Sequence, residues 1–134
     1  MLARLIAAAL ALVTGAAAGF VLTFVHREYV VEASGVPIPL GLLGALAIVA
    51  ALVAGFRFAF SDRLMAIGAA LGIELMIVLL ATLPVLGVGA TLVANDPLGY
   101  AWAIGPAVLC ALVILWPSRG RVLARTKSGT TTPT

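Results

Sequence analysis

The chain has 134 residues, of which 63% are apolar and 10% charged, with a mean hydropathy of +1.23 and a net charge of +3. Soluble domains are about 45–50% apolar and about 25% charged, so the composition excludes a water-soluble globule and places a single domain in a bilayer. One Cys and one His exclude an intrachain disulfide framework, a zinc-finger site and a bis-histidyl haem site.

A helix crossing the hydrocarbon core needs about 20 apolar residues, since about 30 Å is covered at about 1.5 Å per residue. The first such run extends from Leu5 to Val25 and is ended by His26-Arg27-Glu28. Arg4 and Ala16-Ala17-Ala18 also fit a cleavable signal peptide, but the run continues through Phe20, Val21, Leu22 and Phe24. That length favours a retained helix. Glu32, Ser34, Gly35, Pro37 and Pro39 mark a loop, and a second apolar run covers 40–60. Ser61-Asp62-Arg63 is a tight polar turn in which Ser61 or Asp62 can cap the next helix.

The third run, Leu64 to Ala94, is interrupted only by Glu74 and would reach about 45 Å as one helix. Pro84 removes a backbone donor, and Gly87 and Gly89 weaken the turns that follow. The expectation is a helix over 64–83 and a kinked or partly re-entrant segment over 84–94. Asp96-Pro97 supplies an N-cap and a proline at the first helical position, opening a fourth helix over 98–116. Residues 118–134 form a tail, first basic and then Thr-rich. The fold class is therefore an all-α membrane protein with four transmembrane helices in one domain, 1–117.

Four spans put both termini on one side, together with Arg4, Arg57, Arg63, Arg119, Arg121, Arg125 and Lys127. The opposite loops hold only Arg27, beside Glu28, Glu32 and Asp96. By the positive-inside rule both termini are cytoplasmic, in a multi-pass protein of the cell membrane. Tyr100 and Trp102 at the outer end of the fourth span, and Trp116 at its inner end, fit interfacial anchors. The basic tail can attract anionic lipid headgroups, although its charges are already explained by topology. Nucleic-acid binding has no support, because no basic domain lies outside the membrane.

Membrane helices associate through close packing of small residues. Ala7, Ala11, Gly15 and Gly19 make such a stripe on the first span, Ala47, Ala51 and Gly55 one on the second with Gly44 nearby, and Gly68 and Gly72 a GxxxG on the third. Glu74 lies near the bilayer midplane, where an ionised group costs about 2.5–3.5 kcal/mol on insertion scales. It shares a helical face with Ile67, Ala70, Leu71, Ile77, Val78 and Ala81, well away from Gly72. The third helix therefore needs protein on two sides. Glu74 is either a proton or cation site or a neutral acid hydrogen-bonded inside the bundle or to another subunit; Thr14, Thr82 and Cys110 are the available partners within the chain.

His26 reads as an interfacial polar residue and Cys110 as packing. Asn95 and Asp96 could hold a cation, but capping already accounts for Asp96. No catalytic set, phosphate loop, metal cluster or cofactor motif is present in the sequence.

Asn95-Asp96-Pro97-Leu98-Gly99-Tyr100-Ala101-Trp102 and the Ala/Val/Leu-rich composition resemble small actinobacterial integral membrane proteins of unassigned function. That resemblance implies the four-helix layout and no activity. Size, layout and basic tail also resemble small multidrug-resistance transporters, but those carry their acid in the first span, where this chain has none. The expected function is an accessory or structural component of a membrane assembly or homo-oligomer, not an enzyme. The alternative is an oligomeric transporter of a small solute or ion with Glu74 as its proton-coupled acid. Expected partners are membrane lipids and further copies or other membrane subunits.

Overall fold

Four apolar runs become four helices: α1 (Leu2–Val25), α2 (Leu40–Ala59), α3 (Leu64–Thr82) and α4 (Pro97–Leu115). Each is long and apolar enough to cross a membrane. The structure is a computed structural model, and it describes residues 1–60, 62–83, 93 and 95–117. The kinked segment expected over 84–94 (Val93 apart), the candidate cap Ser61 and the 118–134 tail lie outside the described residues. At the start of α3, Asp62 Oδ1 accepts from the Leu64 amide at 3.1 Å.

The expected loop between α1 and α2 is instead a β-hairpin. β1 (Val30–Ala33) pairs antiparallel with β2 (Val36–Pro39), Ala33 opposite Val36 and Val30 opposite Pro39. Ser34 (φ 54°) and Gly35 (φ 79°) both take positive φ, which is the two-residue turn whose twist matches that of paired strands. Pro37 and Pro39 suggest broken structure in the sequence, yet both are compatible with the ladder. Pairs alternate between hydrogen-bonded and non-bonded along an antiparallel ladder. Counting from the turn, both prolines fall on non-bonded positions, where the missing N–H has no partner to lose. The Gly41 amide closes the base of the hairpin by donating to the Tyr29 carbonyl at 3.0 Å.

α3 is the centre of the bundle. Half of its apolar window is buried, against 22% for each of the other helices. On one side it meets α1 through small residues: a Cβ on Gly19 would stand 2.8 Å from the Ile73 carbonyl oxygen, and one on Gly68 2.8 Å from that of Ala8. Gly15 lies against the Ala69 backbone, and Gly72 against the backbone of Leu12 and Ala16. On its other side Ala66, Ala70, Ile73 and Ile77 join Leu42, Ala45, Val49 and Val53 of α2 and Trp102 and Cys110 of α4 in one core. The outward faces carry most of the large apolar side chains, among them Leu10, Val13, Val21, Ile48, Leu75 and Ile104.

Candidate functional site

Among the described residues, the hairpin end and the middle of α3 both hold polar groups in apolar surroundings. The first is the hairpin end, where α1 finishes and α4 begins. The Thr23 hydroxyl donates to the Gly19 carbonyl at 2.7 Å within its own helix, and its oxygen accepts from the Trp102 indole N–H at 3.2 Å. One turn on, His26 Nδ1 donates to the Thr23 carbonyl at 2.6 Å. A carbonyl only accepts, so Nδ1 carries the proton and the ring is the Nδ1–H tautomer. The imidazole stacks on the Trp102 indole with centroids 5.1 Å apart and planes 10° from parallel.

His26 is 1% exposed and Trp102 is fully buried. The sequence suggests an interfacial anchor at Trp102, but the ring is packed inside the protein and turns no face outward; His26, read as an interfacial polar residue, is packed beside it. The indole N–H finds its acceptor in Thr23, so the ring has no need of water at its polar tip. Burial lowers the His26 pKa from 6.5, opposed by the Thr23 hydrogen bond. Its Nε2 is buried without a hydrogen-bond partner among the described residues.

Arg27 and Asp96 close the same end. The guanidinium meets the Asp96 carboxylate at 2.5 Å, and the other carboxylate oxygen accepts from the Gly99 amide at 2.7 Å as the cap of α4. The Arg27 hydrogen bond, then that of Gly99, holds the Asp96 carboxyl below the usual carboxylate range. In the sequence the only traces of this cluster are Thr23 one helical turn before His26, and opposite charges at 27 and 96. The pairings join positions more than 60 residues apart, and hydropathy carries no signal for them.

The second place is Glu74, partly buried on the margin of α3 between buried Ile73 and Ile77 and exposed Leu75 and Val78. Its Oε1 is sealed from solvent and has no hydrogen-bond partner among the described residues. The proposed partners Thr14 and Thr82 turn their hydroxyls to their own helices, to the Leu10 and Leu79 carbonyls at 2.8 and 2.9 Å. Cys110 of α4 is buried and lies within electrostatic reach of the carboxyl.

The small-residue positions divide. Ala11, Gly15, Gly19, Gly68 and Gly72 are buried and Ala7 is partly buried, all in the α1–α3 seam. Ala47, Ala51 and Gly55 are exposed, because α2 turns the larger Leu42, Val49 and Val53 to the core and so buries more apolar area. Tyr100 and Trp116 are also exposed. Among the described residues no group of three or more His, Cys, Asp or Glu side chains is placed to hold a metal ion. Comparison with family models, curated proteins and solved structures finds no match to this chain.

Proposed function

We propose that the chain is a multi-pass protein of the cell membrane, with both termini cytoplasmic, that serves as an accessory or structural component of a membrane assembly. In this reading it acts as a homo-oligomer or beside other membrane subunits and performs no catalysis. The apolar outward faces support insertion, and the seven-to-one distribution of basic residues supports the orientation. A cysteine placed at Glu32 should then label with an impermeant reagent from outside, and one at Ser128 should not; the reverse pattern overturns the orientation. Cys110 is buried and does not compete for the reagent.

The observation that carries the assembly role is the outward stripe of α2. At 100° per residue Gly44, Ala47, Ala51 and Gly55 fall within a narrow arc. All are exposed, and a Cβ on Gly44 or Gly55 would meet nothing within 4 Å. This is a surface shaped for close helix approach that the described residues leave unused. In mild detergent the purified protein should have a mass above that of one chain, as a homo-oligomer or with a stoichiometric second subunit. The double variant Gly44→Leu/Gly55→Leu should run as a single chain with unchanged helical content. A wild-type protein that purifies alone and monomeric defeats the reading.

The unpartnered Glu74 oxygen favours the second reading, an oligomeric transporter with Glu74 as its coupling acid. Reconstituted vesicles separate the two. In the transporter reading Glu74→Gln abolishes pH-dependent solute flux while the assembly mass is unchanged; in the structural reading there is no flux to abolish.

A further inference from the structure

At the end opposite the hairpin, residues of the last turns of α2 and α4 line a groove of about 750 Å³. Ala54 and Phe58 of α2, Leu112 and Val113 of α4 and Trp116 just after it form its walls, and among the described residues Arg57 is the one charged lining residue. We propose that this groove is a site for one anionic phospholipid, with the phosphate on the Arg57 guanidinium and an acyl chain along Leu112, Val113 and Ala54. The proposal rests on the reading of the four helices as spans.

Charge complementarity identifies the occupant. Arg57 lines the groove, and the ion pairs among the described residues use Arg4 and Arg27 instead, so the groove carries a positive charge that no described carboxylate balances. The chain cannot supply the anion from its own acidic side chains. Of its five acids, Asp62 pairs with Arg4 and Asp96 with Arg27, Glu28 and Glu32 lie at the hairpin end, and Glu74 is in mid-helix.

A free phosphate would match the guanidinium but leave the apolar walls empty. A phospholipid fills both, because its phosphate lies at the depth where a helix ends and its tail runs back along the helices. Trp116, 68% exposed beside the groove, is the kind of ring that lies at headgroup level. Arginine is suited to the phosphate because its planar fork gives two parallel hydrogen bonds.

The test uses the full chain in phosphatidylcholine vesicles containing about one-fifth dibrominated lipid, either phosphatidylglycerol or phosphatidylcholine, with tryptophan fluorescence as readout. Bromine quenches on contact, and Trp116 lines the groove while Trp102 is buried at the other end. The brominated anionic lipid should quench more strongly than its neutral counterpart, and the excess should vanish in Trp116→Phe. Arg57→Gln should weaken the preference about fivefold, and Arg57→Lys, which keeps the charge but loses the fork, should weaken it less. Neutral-lipid quenching at the wild-type level in both Arg57 variants shows that they remain inserted and folded.

Equal quenching by the two lipids, a preference unchanged by Arg57→Gln, or an excess that persists in Trp116→Phe would each overturn the site. In the chains that keep Trp116, the first two results leave quenching by the neutral lipid intact. Absence of quenching by either lipid would instead overturn the spans themselves, and the site with them.

Discussion

Small residues recur at helical spacing on α1 and α3 and again on α2, yet the two sets meet opposite surroundings. In the α1–α3 seam, Gly15, Gly19, Gly68 and Gly72 each face backbone of the other helix, with no room for a Cβ. On α2, Gly44 and Gly55 face open space. The spacing makes a helix competent for close approach. Which surface uses that competence depends on what else the helix offers. α1 and α3 gain from backbone contact, whereas α2 gains more by burying Leu42, Val49 and Val53.

The sharpest way to break this comparison is to put the same side chain in both places. Gly72→Leu drives a side chain into the Leu12 and Ala16 backbone, where nothing flexible can yield. Overpacking of this kind costs about 1–3 kcal/mol and more where backbone must move, so the variant should lose its cooperative thermal transition in detergent. Gly44→Leu should leave the midpoint of a single chain unchanged. Equal effects at the two positions would show that the seam is not as tight as its geometry.

The next effect belongs to the hairpin end. Trp102→Ala should destabilise by about 3–5 kcal/mol, since it empties a fully buried site and takes the donor from Thr23. Trp102→Phe, which keeps a ring against His26, should lose less. A loss under about 1 kcal/mol for the alanine variant would mean that this end is not a packed core.

The smallest expected effect is a pH dependence. Burial, with Arg27 adding to it, lowers the His26 pKa, while the Thr23 carbonyl and Asp96 act the other way; the net shift is downward from 6.5. The folded state therefore favours the neutral ring. That contribution to stability is present above pH 6.5 and is lost as pH falls through the lowered folded-state value. The melting temperature should decline from pH 7 toward pH 5, and His26→Phe, which keeps the stack without the titration, should flatten that slope. A wild-type slope that survives in the variant assigns the dependence to another group.

Much of the bundle is legible in the sequence because it depends on one-dimensional quantities. Run length and hydropathy define four apolar helices, and the angle between Gly72 and Glu74 places α3 between neighbours on two sides. What escaped depends on pairings between distant positions or on backbone angles. The hairpin needs positive φ at Ser34, a residue with no strong preference for it, and two prolines conceal the strand pattern around that turn. Trp102 looks like an anchor until Thr23 and His26 are brought beside it. The outward direction of Ala47, Ala51 and Gly55 follows from a competition between two faces of α2, and periodicity alone does not decide it.

The hairpin has one more consequence. Its ladder runs up to a two-residue turn, and its base is closed by the Gly41–Tyr29 hydrogen bond, while Gly41 itself abuts the last turn of α1. The connection between α1 and α2 is therefore a hydrogen-bonded ladder joined to both helices, shorter in reach than an extended loop of the same length. A tilt of one helix has to be carried into the other through the strands, so a push on the hairpin tip reaches both helices at once.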